Sequence, residues 1–199
     1  NKLDPTYLIG GKLKTEDPHV KLGNSHYLVT ETDESDPSFS KLTPHLVVLT
    51  NLDREHLDNY NNSYSKLEAS MLELMNSIPF YGKVFVNGDD KNSVKLLAKI
   101  NRAVCTFGLN KKNNITAKSI KYIDGKKMQF DVIFSKQTYK VSTNLLGKHN
   151  VYNILSAMSV CLHLGIPITK IIKSLNSFFG ARRRFDVYKD IYINKYNPI

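Results

Sequence analysis

The chain has 199 residues, 41% of them apolar and 23% charged, which supports a packed core and argues against wholesale disorder. At roughly 150 residues per domain it holds one domain, or one with a piece of another. No run approaches the ~18–20 apolar residues of a membrane helix, and the opening Asn1-Lys2-Leu3-Asp4-Pro5 does not read as a signal peptide. Basic residues outnumber acidic ones 28 to 18, a formal charge of +10. Most are Lys scattered among Asn, and Arg clusters only at Arg182, Arg183 and Arg184, so neither a nucleic acid nor a membrane is the expected partner. Two cysteines, Cys105 and Cys161, exclude a disulfide framework and a four-cysteine zinc site. They are expected to be reduced core thiols of a cytoplasmic protein.

Residues 27–30 read as a strand, and 46–50 (Leu-Val-Val-Leu-Thr) as a continuous apolar strand covered on both faces. The stretch 63–77 sets Tyr64, Leu67, Met71, Leu74 and Met75 at helical spacing and ends before Pro79. A strand at 83–87 closes on Gly88-Asp89-Asp90, followed by a helix at 93–100 and a strand at 103–107. This alternation predicts an α/β fold with a mostly parallel, doubly wound sheet. The rhythm then changes to consecutive strands at 115–123, 128–134 and 138–142, with Asp124-Gly125 as a hairpin signal, a small antiparallel β addition. Helices at 150–164 and 168–178 are split by Gly165-Ile166-Pro167. A strand at 187–193 starts and soon stops, so a domain boundary is expected near Gly180, with one domain over 1–180 and the start of another over 181–199.

Four clusters carry chemistry. Glu31-Thr32-Asp33-Glu34-Ser35-Asp36 follows a strand, where open α/β sheets bind ligands. Thr50-Asn51-Leu52-Asp53-Arg54-Glu55-His56-Leu57-Asp58 follows the next strand and adds an imidazole. If the two strands are neighbours, both clusters converge on one crevice. Mg2+ prefers oxygen ligands, which makes Glu31 the stronger ligand by chemistry, whereas His56 taken alone reads more readily as a hydrogen-bonded loop residue than as a ligand. Gly147-Lys148-His149-Asn150-Val151-Tyr152-Asn153 opens a helix. Asn150 and Asn153 share a helical face, where an amide suits the edge of adenine, although Asn150 also reads as a helix cap. Gly180-Ala181-Arg182-Arg183-Arg184-Phe185 places arginines at the expected boundary, able to meet a phosphate or to form a solvated linker. No Gly-x-x-x-x-Gly-Lys-Ser/Thr occurs, so a phosphate cradle of that kind is expected upstream of residue 1 or not at all.

In order and spacing these clusters resemble the Mur ligases, the ATP-dependent amide ligases of peptidoglycan synthesis. The alanine-adding branch typically shows Glu-Ala-Asp-Glu-Ser-Asp-x-Ser-Phe, and residues 31–39 read Glu-Thr-Asp-Glu-Ser-Asp-Pro-Ser-Phe. Its Thr-Asn-Ile-Glu-x-Asp-His-x-Asp-x-Tyr segment matches 50–60, with Asp53 and Glu55 exchanging the usual acid types. Asp4 to Gly11, Pro79-Phe80-Tyr81-Gly82, Asp89-Asp90, Gly147 to Asn153 and Gly180 to Phe185 fall in register as well. The tail Asn194-Lys195-Tyr196-Asn197-Pro198 lacks the family's paired acids and histidines.

The resemblance implies a P-loop-type central domain, here without its phosphate loop and flanking domains, so the isolated chain is expected to be inactive. It implies ATP and Mg2+ as cofactors, and UDP-N-acetylmuramate and L-alanine as substrates. Glu31 and His56 would hold the metal, Asn150, Asn153 and Asn51 the nucleotide, and Arg184 a phosphate. The peptide-adding ligase of wall recycling and a non-catalytic nucleotide-binding remnant stand as alternatives.

Overall fold

The computed structural model describes residues 3–10, 20–32 and 34–180. The strand expected at 187–193 and Arg182, Arg183 and Arg184 lie outside the described residues. Strands β1 (Thr6–Leu8), β2 (Val20–Lys21) and β3 (Leu28–Thr30) form a small sheet of order β2-β1-β3, with β1 antiparallel to β2 and parallel to β3. Strands β4 (Leu46–Leu49), β5 (Lys83–Asn87), β6 (Ala103–Gly108), β7 (Ile115–Ile123), β8 (Lys127–Phe134) and β9 (Gln137–Thr143) form the main sheet in sequential order. Pairings from β4 through β7 are parallel, and β7-β8-β9 is the antiparallel addition read from the sequence. The helices are α1 (Tyr64–Ser77), α2 (Lys91–Leu96), α3 (Lys148–His163) and α4 (Ile168–Ser177).

Alternation along β5 shows why the sheet is doubly wound. Val84 and Val86 enter one core with Leu67, Leu74 and Met75 of α1, while Phe85 enters the other with Leu155 and Met158 of α3. Each fully buried apolar side chain of this kind contributes roughly 1.5–3 kcal/mol, so β5 is held from both faces. β4 differs from the sequence expectation. Among the described residues it is an edge strand, and Val48 is 40% exposed. A second correction concerns β3, which lies in the small sheet and does not neighbour β4. Strands of two or three residues, such as β1 and β2, are too short to leave a period in the sequence.

Two hairpins complete the antiparallel part. Asp124 (φ 48°) and Gly125 (φ 62°) are both left-handed, as the turn signal requires. Ser135 (φ 50°) and Lys136 (φ 64°) make a second two-residue turn with no glycine. The helix expected at 93–100 begins at Lys91, because the Asp90 side chain caps it by accepting from Ser93 N at 2.7 Å, and it tightens into a 3-10 turn over Leu97–Lys99. Among the described residues no helix is long and apolar enough to cross a membrane.

Candidate functional site

Parallel pairing in register brings the carboxyl ends of β4, β5 and β6 to one rim, at Leu49, Asn87 and Gly108. Such a rim is where open α/β sheets bind ligands. The loop after β4 is held there by the turn after β5. Asn87 Nδ2 donates to Thr50 O at 2.9 Å, Leu52 N donates to Asp90 Oδ2 at 3.3 Å, and Asn92 Nδ2 donates to Leu52 O at 2.9 Å. Leu52 itself is buried. The Asn51 amide donates to Asp53 Oδ2 at 2.7 Å and accepts from Thr50 Oγ1 at 3.1 Å. Next along the loop, the Arg54 guanidinium lies 5.0 Å over the Tyr64 ring, a cation–π contact. Burial first, then the negative charge of Glu68, pushes the Tyr64 phenol up. His56 adopts a left-handed conformation (φ 51°) and starts a 3-10 turn over Leu57–Tyr60.

The acidic segment after β3 reaches this loop by a route other than strand adjacency. Tyr60 Oη donates to Glu34 O at 3.0 Å and Asn59 Nδ2 donates to Ser35 O at 2.7 Å. Asp36 caps a 3-10 turn over Pro37–Lys41 by accepting from Ser38 N at 2.9 Å, and that turn buries Phe39 in the core beside α1. Glu34, Glu55 and His56 therefore meet, with ligand atoms all within 4.8 Å of one another. The Glu31 carboxylate accepts from Gly10 N at 2.9 Å. Asp33 lies outside the described residues.

Sequence reasoning singled out His56 and passed over Glu34 and Glu55 as ligands. The signal that could have found Glu34 was the buried-type Tyr60, whose hydroxyl had to find a partner. Two carboxylates and an imidazole, two of the three residues exposed, suit a hydrated divalent cation that keeps several waters.

The third cluster lies at the start of α3. Gly147 (φ 97°) turns the chain into the helix. Asn150 Nδ2 donates to Leu146 O at 2.7 Å, and Asn153 Nδ2 donates to Asn150 Oδ1 at 3.4 Å, so the two amides are in line on one face. Between them Tyr152 Oη donates to Asp89 Oδ2 at 3.2 Å, which ties this turn of α3 to the end of β5. Burial, then the Asp89 carboxylate, pushes the Tyr152 phenol up, so it remains a donor at neutral pH.

A family described as the Mur ligase middle domain matches residues 16–161. A UDP-N-acetylmuramate–L-alanine ligase of Vesicomyosocius okutanii is 42% identical over 195 residues, 97% of this chain and 41% of that protein. One from Hydrogenovibrio crunogenus is 41% identical over 94% of this chain and 40% of its own length. The chain thus spans about two fifths of the curated relatives it matches. The crystal structure of a UDP-N-acetylmuramate–alanine ligase from Thermotoga maritima superposes with a TM-score of 0.80 at 26% identity, covering 93% of this chain and 41% of that one.

Proposed function

Because this chain belongs to the Mur ligase middle-domain family, we propose that it forms the nucleotide-binding part of an enzyme that joins L-alanine to the carboxylate of UDP-N-acetylmuramate at the expense of ATP. Relatives named UDP-N-acetylmuramate–L-alanine ligase, about 40% identical across nearly the whole chain, support the choice of substrates. The observation that carries the chemistry is the meeting of Glu34, Glu55 and His56 at the carboxyl rim of a parallel sheet. In this reading residues 1–180 are the middle domain and 181–199 begin the next one, and the enzyme works in the cytoplasm, where its nucleotide substrates are made.

The reaction is two displacements. The muramoyl carboxylate oxygen attacks the γ-phosphorus of ATP, and the bond to the bridging oxygen breaks, giving an acyl phosphate and ADP. The amine of L-alanine then attacks the acyl carbon, phosphate departs, and the nitrogen loses a proton, leaving an amide. Little covalent chemistry falls to the protein; its residues position groups and offset charge. Asn150 and Asn153 present donor and acceptor amides to the adenine edge. Asn51 faces the nucleotide from the β4 loop, and Arg184 meets a phosphate. Glu31 and His56 would hold Mg2+, as the family resemblance implies, and Glu34 and Glu55 place carboxylate oxygens beside the imidazole. When bound, the ion offsets phosphate charge and orients the transferred group.

The test uses the complete gene product with ATP, Mg2+ and UDP-N-acetylmuramate. ADP release that requires L-alanine, with a product heavier by one alanyl residue, is expected. Release that requires a preformed peptide instead, or no nucleotide binding at all, overturns the reading.

A further inference from the structure

Asp89 and Asp90 are adjacent, yet their carboxylates are engaged with opposite sides of the rim. Asp90 accepts from the backbone of Leu52 in the β4 loop and from the backbone and hydroxyl of Ser93, where it caps α2. Asp89 accepts from Leu109 N, from Asn110 N at 3.1 Å, from Asn113 Nδ2 at 2.9 Å and from Tyr152 Oη at 3.2 Å. An ionised carboxylate only accepts, and charge-assisted bonds are the stronger kind. Each aspartate is thus a node that gathers donors from different elements.

The surroundings leave room for this. A Cβ at Gly88 would lie 1.9 Å from Asn113 Oδ1, and one at Gly108 would lie 2.7 Å from Asp89 Cγ. Both positions require glycine for the carboxylate and amide to meet between the strand ends. The turn also grows from β5, whose last four residues are buried, and its first residue, Asn87, is 8% exposed while it holds Thr50 O. A buried strand therefore leads into the turn whose contacts reach both the β4 loop and the start of α3.

We propose that the turn Asn87-Gly88-Asp89-Asp90 is the positioning element of the nucleotide site. Asp90, helped by Asn87 and Asn92, fixes the loop bearing His56, and Asp89 fixes the first turns of α3 bearing Asn150 and Asn153. One four-residue turn then sets the separation between the metal end and the base end of a bound nucleotide. This inference rests on the reading above that adenine lies at Asn150 and Asn153 and the divalent ion at His56. None of the turn residues touches the nucleotide; they act through the loops they hold.

The division of labour predicts a crossed response in the complete gene product. Two readouts are measured: the ratio of dissociation constants for GTP and ATP with Mg2+, and the Mg2+ concentration at half-maximal nucleotide binding. Asp89→Asn and Tyr152→Phe should lower the base ratio about tenfold, in keeping with the worth of a paired amide–base contact, and leave the Mg2+ midpoint in place. Asp90→Asn and Asn92→Ala should raise the Mg2+ midpoint about tenfold, as loss of support around a metal site does, and leave the base ratio in place. Tyr152→Phe and Asn92→Ala each remove a single hydrogen bond to the positioned element, so they carry the test if either aspartate variant fails to fold. Melting temperatures are recorded alongside. Responses that are not crossed, with both readouts moving together in step with lost stability or neither moving, overturn the proposal. A wild-type protein that binds no nucleotide removes the functional reading as well; wild-type binding with uncrossed variants removes this inference alone.

Discussion

Replacing Tyr60 with Phe isolates the link that brings the acidic segment to the imidazole. The hydroxyl donates to Glu34 O at 3.0 Å, and the residue is 5% exposed, so the substitution keeps the ring packed and removes that bond. A neutral hydrogen bond of this kind contributes about 0.5–1.5 kcal/mol net. Glu34 is only half-buried, so its carbonyl can recover water, which places the loss in the lower part, about 0.5–1 kcal/mol. At 1.4 kcal/mol per tenfold, that is roughly a two- to fivefold change in an equilibrium constant. Glu34 shares its site with Glu55 and His56, so the same free energy is drawn on when a cation binds there. The Mg2+ concentration at half-maximal ADP release should therefore rise about two- to fivefold. Nucleotide affinity without Mg2+ should stay as it was. The assay is a Mg2+ titration at fixed ATP on Tyr60→Phe and wild type, beside a urea unfolding curve for each. A variant that loses the stated stability while its Mg2+ midpoint stays put refutes the coupling between the turn and the metal site.

Glu31→Gln should raise the Mg2+ requirement about tenfold or more, and Glu34→Gln by a smaller factor; the reverse order in the same titration would move the principal ligand to Glu34. Burial, then the charge of Lys83, holds the His163 imidazole below its ordinary value of 6.5. The unfolded chain therefore takes up that proton first, and stability should fall as pH drops from about 6.5 towards the folded value, with no further loss from this group below it. His163→Gln should flatten that part of a stability-against-pH curve, and an unchanged slope would exclude the group. Burial pushes the thiols of Cys105 and Cys161 up, so both should react with a disulfide reagent near pH 8 at least about tenfold more slowly in the folded protein than in urea. Equal rates would contradict their packing.

The main sheet was legible because its strands carry local signals. Val84, Phe85 and Val86 form an apolar run between turn residues, and their burial on alternate faces is what such a run requires. Asp124-Gly125 announced the first hairpin, whereas Ser135-Lys136 gave no notice, since both adopt left-handed backbone without the residue that does so freely. The separation of β3 from β4 was not legible: each strand's apolar content says that it pairs, not with what. Glu34 was missed for the same reason, since its placement depends on Asn59 and Tyr60, about 25 residues along the chain.

The arrangement at the rim runs against simple electrostatics. Glu34 and Glu55 present oxygens within 4.8 Å of each other and of the imidazole, and two like charges at that range repel by about 1 kcal/mol in water and more near a protein surface. The hydrogen bonds from Tyr60 and Asn59 to the 34–36 turn, and the buried Phe39 beyond it, hold the backbone of that turn beside the loop bearing Glu55 and His56. The repulsion turns into attraction when a divalent charge sits between the oxygens. In the proposed metal site, the surrounding fold rather than the ligand side chains brings the two segments together before the ion arrives.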